Sequence, residues 1–131
     1  MRSIVFGAAL FALGAASLAQ ADPSAGIWQT APGESGGYLH VSIAPCGAQL
    51  CGTILRAYGP DGTQVADYEH QGKPIIWNMG RDGDGRYSGG TIWAPDTDKT
   101  YRSKMQLKGA QLAVSGCVGP FCRSQDWQRL K

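Results

Sequence analysis

The sequence has no run of like charges, no second long apolar stretch and no window with apolar residues at helical spacing. Its 12 basic and 10 acidic side chains are scattered singly along 131 residues. The formal charge is only +2, and Arg2 supplies one unit of it, so electrostatics gives no support to nucleic-acid or membrane-surface binding. Without apolar residues at i, i+3, i+4 and i+7, an amphipathic helical core is excluded. Histidine is scarce, at two residues, His40 and His70. H-E-x-x-H does not occur, which removes one common metallohydrolase signature.

What is present begins with an export signal. Arg2 precedes an apolar run from Ile4 to Leu18, and Ala19-Gln20-Ala21 has the small-x-small pattern of a cleavage site. The run is shorter than the roughly 20 residues that span a bilayer, and nothing later could serve as a membrane anchor. A leader over 1–21, cut after Ala21, and a periplasmic or secreted chain over 22–131 are therefore expected. The remaining 110 residues are enough for a single domain.

In that part the apolar period is two. Leu39, Val41 and Ile43 alternate with Tyr38, His40 and Ser42; Tyr101, Ser103, Met105 and Leu107 alternate with Thr100, Arg102, Lys104 and Gln106. Turn signals bound eight segments, at about 26–30, 37–44, 50–58, 74–79, 86–94, 99–107, 111–118 and 122–130. "RDGDG" at 81–85, "PDTD" at 95–98 and "KGAQ" at 108–111 read as turns. Short strands on short links predict an all-β fold, an antiparallel up-and-down meander of eight strands closed into a small barrel. The long link, 59–73, stands out in an otherwise economical chain.

Four cysteines form two pairs with four intervening residues, Cys46 and Cys51, then Cys117 and Cys122. A thiolate zinc site tolerates this spacing, whereas a redox couple normally has two residues between its cysteines. An exported chain favours disulfides. In a meander the 45–49 and 118–121 turns lie at opposite ends, too far apart for cross-pairing, since bridged Cα atoms lie within about 7 Å. The expected bridges are Cys46–Cys51 and Cys117–Cys122, each at the base of its own turn.

The first strand opens Gly26-x-Trp28 and the last carries Trp127-x-Arg129. This pattern resembles the lipocalin-like (calycin) barrels, in which a G-x-W lies at the closed base and a late arginine covers its indole. Gly26, Trp28 and Arg129 are thus the expected barrel base. More broadly, "GIWQT", "PCGAQLCGTI", "YSGGTIWAPDTDKTYRSKMQL" and "VSGCVGPFCRSQDWQRL" are similar to a bacterial exported family catalogued as domain of unknown function 2147. The resemblance implies a lipocalin-like barrel and a periplasmic location, and it brings no catalytic residues with it.

For a site, the chain offers aromatics and one loop. The alternation of Ile75, Trp77 and Met79 predicts Trp77 inside, and Trp93 would share its face with Gly89 and Thr91. A barrel this short is expected to have a filled interior, with any binding site at the mouth formed by 31–36, 59–73, 95–98 and 119–121. That mouth would present Glu34, Tyr68, His70, Asp96, Phe121 and Arg123. The candidate ligand contacts are Tyr68, His70, Trp77, Trp93, Tyr101 and Phe121, with no catalytic residue, metal or cofactor expected. "DYEH" at 67–70 reads first as a solvated loop and "RDGDG" as a hairpin turn, not a calcium loop. The leading functional expectation is a periplasmic, non-enzymatic binding module for a small, partly apolar ligand or envelope lipid. A protein-interaction or inhibitor-type scaffold, with an envelope protein as partner, is the alternative. An enzyme or metal protein centred on Asp67, Glu69 and His70 ranks third. Nothing in the chain sets an oligomeric state.

Overall fold

The computed structural model describes residues 22–131; the predicted leader lies outside the described residues. Eight strands follow one another: β1 (Gly26–Gln29), β2 (Tyr38–Cys46), β3 (Gln49–Tyr58), β4 (Pro74–Gly83), β5 (Arg86–Ala94), β6 (Lys99–Lys108), β7 (Gln111–Val118) and β8 (Phe121–Arg129). Each pairs antiparallel with the next and β8 returns to β1, so the sheet closes into a barrel with no helix among the described residues. Closure gives every strand a neighbour on both flanks over at least part of its length, which limits the sheet edge open to another chain.

The two ends differ. Two-residue turns at 47–48, 84–85 and 109–110 close one end, the foot. Asp84 and Gly85 have φ of 55° and 73°, the positive pair that a tight hairpin requires, and β4 runs to Gly83, past the expected limit at 79. All the longer links, 30–37, 59–73 and 95–98, gather at the other end, the mouth, together with the 119–120 turn. Both disulfides join the expected partners, Cys46 to Cys51 at the foot and Cys117 to Cys122 at the mouth.

The seam between β1 and β8 is short. Only Trp28↔Arg129 and Gln29↔Gln128 are in register, and Ile27 adds backbone bonds with Leu130 and Lys131. The mouth-side half of β8 therefore has a ladder neighbour on β7 alone.

Apolar side chains fill the foot half. Trp28, Leu50, Met79, Leu112 and Trp127 are almost wholly buried, and Met105 and Tyr87 pack against them. Trp28 donates its indole N–H to the Ser24 carbonyl at 2.9 Å, while the Arg129 guanidinium lies 4.3 Å from its ring centroid. Arg129 also donates to the carbonyls of Ala25 and Pro23. A cation over an indole face and a satisfied guanidinium make a stable plug.

Beneath that plug, Asp22 ties the chain's approach to the barrel wall. Its carboxylate accepts hydrogen bonds from the Ser24 N–H (2.9 Å) and hydroxyl (2.7 Å), the Tyr87 hydroxyl (2.7 Å) and Arg81 Nε (2.8 Å). Burial alone would raise its pKa, but the bonds from Ser24, Tyr87 and Arg81 prevail and hold it at about 2. The folded value lies below the unfolded one, so the stabilisation is complete above about pH 4 and disappears as pH falls toward 2. Asp22→Asn is expected to lower stability by about 2 kcal/mol at neutral pH. Urea titrations at falling pH should show the gap between variant and wild type closing through that window.

Two irregularities revise the expected side-chain phase. Between β3 and β4 the register runs Leu50↔Met79, Gly52↔Ile76 and Thr53↔Pro74, with extra residues on β4. Such bulges reset the alternation: Ile75 and Ile76 are both buried, and Asn78 takes a φ of 56°. Trp77, expected inside, instead pairs with Thr91 and through it with Arg102, half-buried and away from the cavity. A second bulge lies on β5, where Tyr87↔Met105 is followed by Gly90↔Ser103. Gly89, at φ 74°, is the extra residue and is exposed, so Gly90 rather than Gly89 meets the core, against Met79.

Candidate ligand cavity at the barrel mouth

The expected filled interior holds only for the foot. The mouth half encloses a cavity of about 860 Å³, open at the loop end. That volume lies in the range of about 300–1,000 Å³ typical of small-molecule sites. Its floor and walls include Ile75, Ile92, Val114 and Trp127, with Leu39 and Ala57 opposite. Space remains because small residues stand where large ones would fill it. A Cβ built on Gly116 would lie 3.5 Å from the Tyr101 Cβ and 3.7 Å from Ile92 Cγ2, ordinary contacts bordering open volume.

Of the six candidate contacts, Tyr68, Trp93, Tyr101 and Phe121 line this cavity. His70 stands behind them, edge-on to Tyr68 (centroids 5.3 Å apart, planes at 89°) and to Trp93 (5.0 Å, 88°). Its Nε2 lies 3.3 Å from a Glu69 oxygen and its Nδ1 3.2 Å from Lys73 Nζ. His70 thus braces two cavity-wall rings. Trp77 does not line the cavity, and neither does Glu34. Asp96 and Arg123 do.

The long 59–73 link is folded back along β3. The Val65 N–H donates to the Ala57 carbonyl (2.9 Å), the Gly72 N–H to the Ile54 carbonyl (2.8 Å), and the Ile54 N–H to the Lys73 carbonyl (2.9 Å). These bonds carry Tyr68 against the core. Burial raises the Tyr68 pKa, and the charges of Asp96 and Glu69 raise it further, so its hydroxyl stays neutral and able to donate a hydrogen bond. On the other side of His70, Trp93 donates its indole N–H to Asp98 at 2.8 Å, which fixes the ring at the end of β5.

Polar groups inside are few. Gln125 accepts the Trp127 indole N–H at 2.8 Å, and Arg123 follows Gln125 on the same face of β8. Among the described residues no cluster of three or more His, Cys, Asp or Glu is placed to hold a metal. Largely apolar walls, with several hydroxyls, the Asp96 carboxylate and the Arg123 guanidinium among them, suit a ligand with a greasy body and a polar end.

An eight-stranded antiparallel barrel, plugged by an arginine-capped tryptophan and hollow at its mouth, has the lipocalin-like fold. The solved structure of protein HP1028 from the human pathogen Helicobacter pylori, described as belonging to the lipocalin family, shares this fold. The match has a TM-score of 0.65 at 16% identity and covers 82% of each chain. Residues 26–129 match the family described as "Uncharacterized protein conserved in bacteria (DUF2147)", and the chain belongs to that family. No curated protein matches the chain. The two disulfides and this bacterial family membership are consistent with an exported protein.

Proposed function

We propose that the chain is a periplasmic, non-enzymatic binding module that takes a small, partly apolar ligand or envelope lipid into the mouth of its barrel. The observation that carries this reading is the cavity of about 860 Å³ with apolar walls. A scaffold acting through its loops alone has no use for such a void, because an empty cavity costs packing energy that a filled core would recover. The leader expected over 1–21 supports the compartment, and the aromatic rim of Tyr68, Trp93 and Tyr101 supports a partly apolar ligand.

Trp93 and Trp127 both line the cavity, so intrinsic fluorescence reports on its occupation. Titration with a panel of fatty acids and extracted envelope lipids is expected to quench or shift that emission saturably. A flat response across the panel, from a protein whose thiols are fully oxidised and whose near-ultraviolet circular dichroism is native-like, would reject the proposal.

A further inference from the structure

Beside the cavity, the β7–β8 hairpin ends in an unusual surface. Val118 and Phe121 face each other in register at its tip and are 65% and 80% exposed. The Cys117–Cys122 bridge sits directly beneath them. A bridged, two-residue turn that presents two large apolar side chains to solvent is costly to keep unless something apolar receives it. Both residues also belong to the cavity lining, so the exposed tip is continuous with the interior.

The fold gathers charge around this tip that looks scattered in the sequence. Lys99 at the mouth end of β6, Arg102 and Arg123 stand on this side, while Lys104 and Lys108 lie farther along β6 toward the foot. From Lys99 to Gln125 the chain has no Asp or Glu. Arg102 donates to the Gly119 carbonyl at 2.6 Å, which fixes a guanidinium at the turn itself. Arg123 lies just past the bridge, and among the described residues neither arginine has a carboxylate partner. The six acidic residues of the mouth links, Glu34, Asp61, Asp67, Glu69, Asp96 and Asp98, are all carried by the other three links. The hairpin side is therefore basic as well as apolar.

We infer that the 118–121 tip docks the barrel on an anionic phospholipid surface, with Val118 and Phe121 entering the apolar boundary and Arg102 and Arg123 meeting the headgroups. The combination is that of interfacial binding, in which apolar insertion and attraction to anionic lipid add together. Docked this way, the barrel turns its cavity lining toward the membrane. The inference is independent of what the cavity holds.

The test is co-sedimentation of the full chain with vesicles of phosphatidylcholine alone or mixed with phosphatidylglycerol. Wild type is expected to bind the mixed vesicles at low salt and to be released as salt rises. The pair Val118→Ser and Phe121→Ser should weaken this binding roughly tenfold or more. The pair Arg102→Gln and Arg123→Gln should cost about fivefold for each arginine on mixed vesicles and nothing on phosphatidylcholine. All four positions are at the surface, and circular dichroism of each variant confirms the fold. No binding of wild type to mixed vesicles at low salt overturns the inference, as does binding by either double variant equal to that of wild type.

Discussion

Trp28→Ala is expected to remove about 3–5 kcal/mol of stability, the range for deleting a buried aromatic. Domains of this size are stable by only about 5–15 kcal/mol, so the variant should be largely or marginally unfolded near 37 °C. The expectation rests on how much meets at this one ring. Trp28 is 0% exposed, its N–H is bonded to Ser24, and Arg129 covers its face. It is also one of only two residues of β1 in ladder register with β8. Losing the indole would leave a cavity at the foot and a guanidinium with no ring beneath it. Arg129→Ala should cost less, about 1–2 kcal/mol, since the indole stays buried while the cation–π contact and the bonds to Ala25 and Pro23 are lost. Urea unfolding of both single variants and the double variant gives the coupling directly. Additive losses would mean that the stacking contributes little.

Gly116→Phe is expected to leave stability nearly unchanged while weakening binding of an apolar ligand roughly tenfold or more, equivalent to at least about 1.4 kcal/mol. Gly116 lies within β7 at an ordinary strand conformation, so a side chain there introduces no backbone strain and relieves the entropic penalty of a strand glycine. The new ring would point past Tyr101 and Ile92 into the void. Fluorescence titration and thermal unfolding, run side by side, separate the two effects. Retained affinity with a native-like melting curve would mean that ligands bind elsewhere than in this cavity.

Much of the architecture is readable because period-two patterning and tight turns are local. β2 and β6 follow their alternation closely, with Val41 and Ile43, and Ser103 and Met105, buried as the pattern requires. The cysteine pairing is legible for the same reason, since the up-and-down count alone puts the two turns at opposite ends. The bulges are another matter. Asn78 and Gly89 take positive φ and reset the phase of β4 and β5, and alternation counted straight through them puts Trp77 and Gly89 on the wrong face. The adjacent pairs Ile75-Ile76 and Gly89-Gly90 are the signals that could have revealed the interruption, because a half-buried strand rarely buries two neighbours in sequence. The Asp22 network has no such signal: Arg81 and Tyr87 lie 59 and 65 residues away, and only closure of the barrel brings them together. The cavity too is a property of the assembled wall, set by where Gly116 falls beside Tyr101 and Ala57 falls opposite Leu39.

The short seam has a mechanical consequence. Stiffness in this cylinder is graded along its axis: firm where β1 grips β8, and compliant where β8 continues toward the rim with support on one flank only. A covalent tie at Cys117–Cys122 reinforces the one flank that β8 has there, holding the rim hairpin together where hydrogen bonding alone would let it fray.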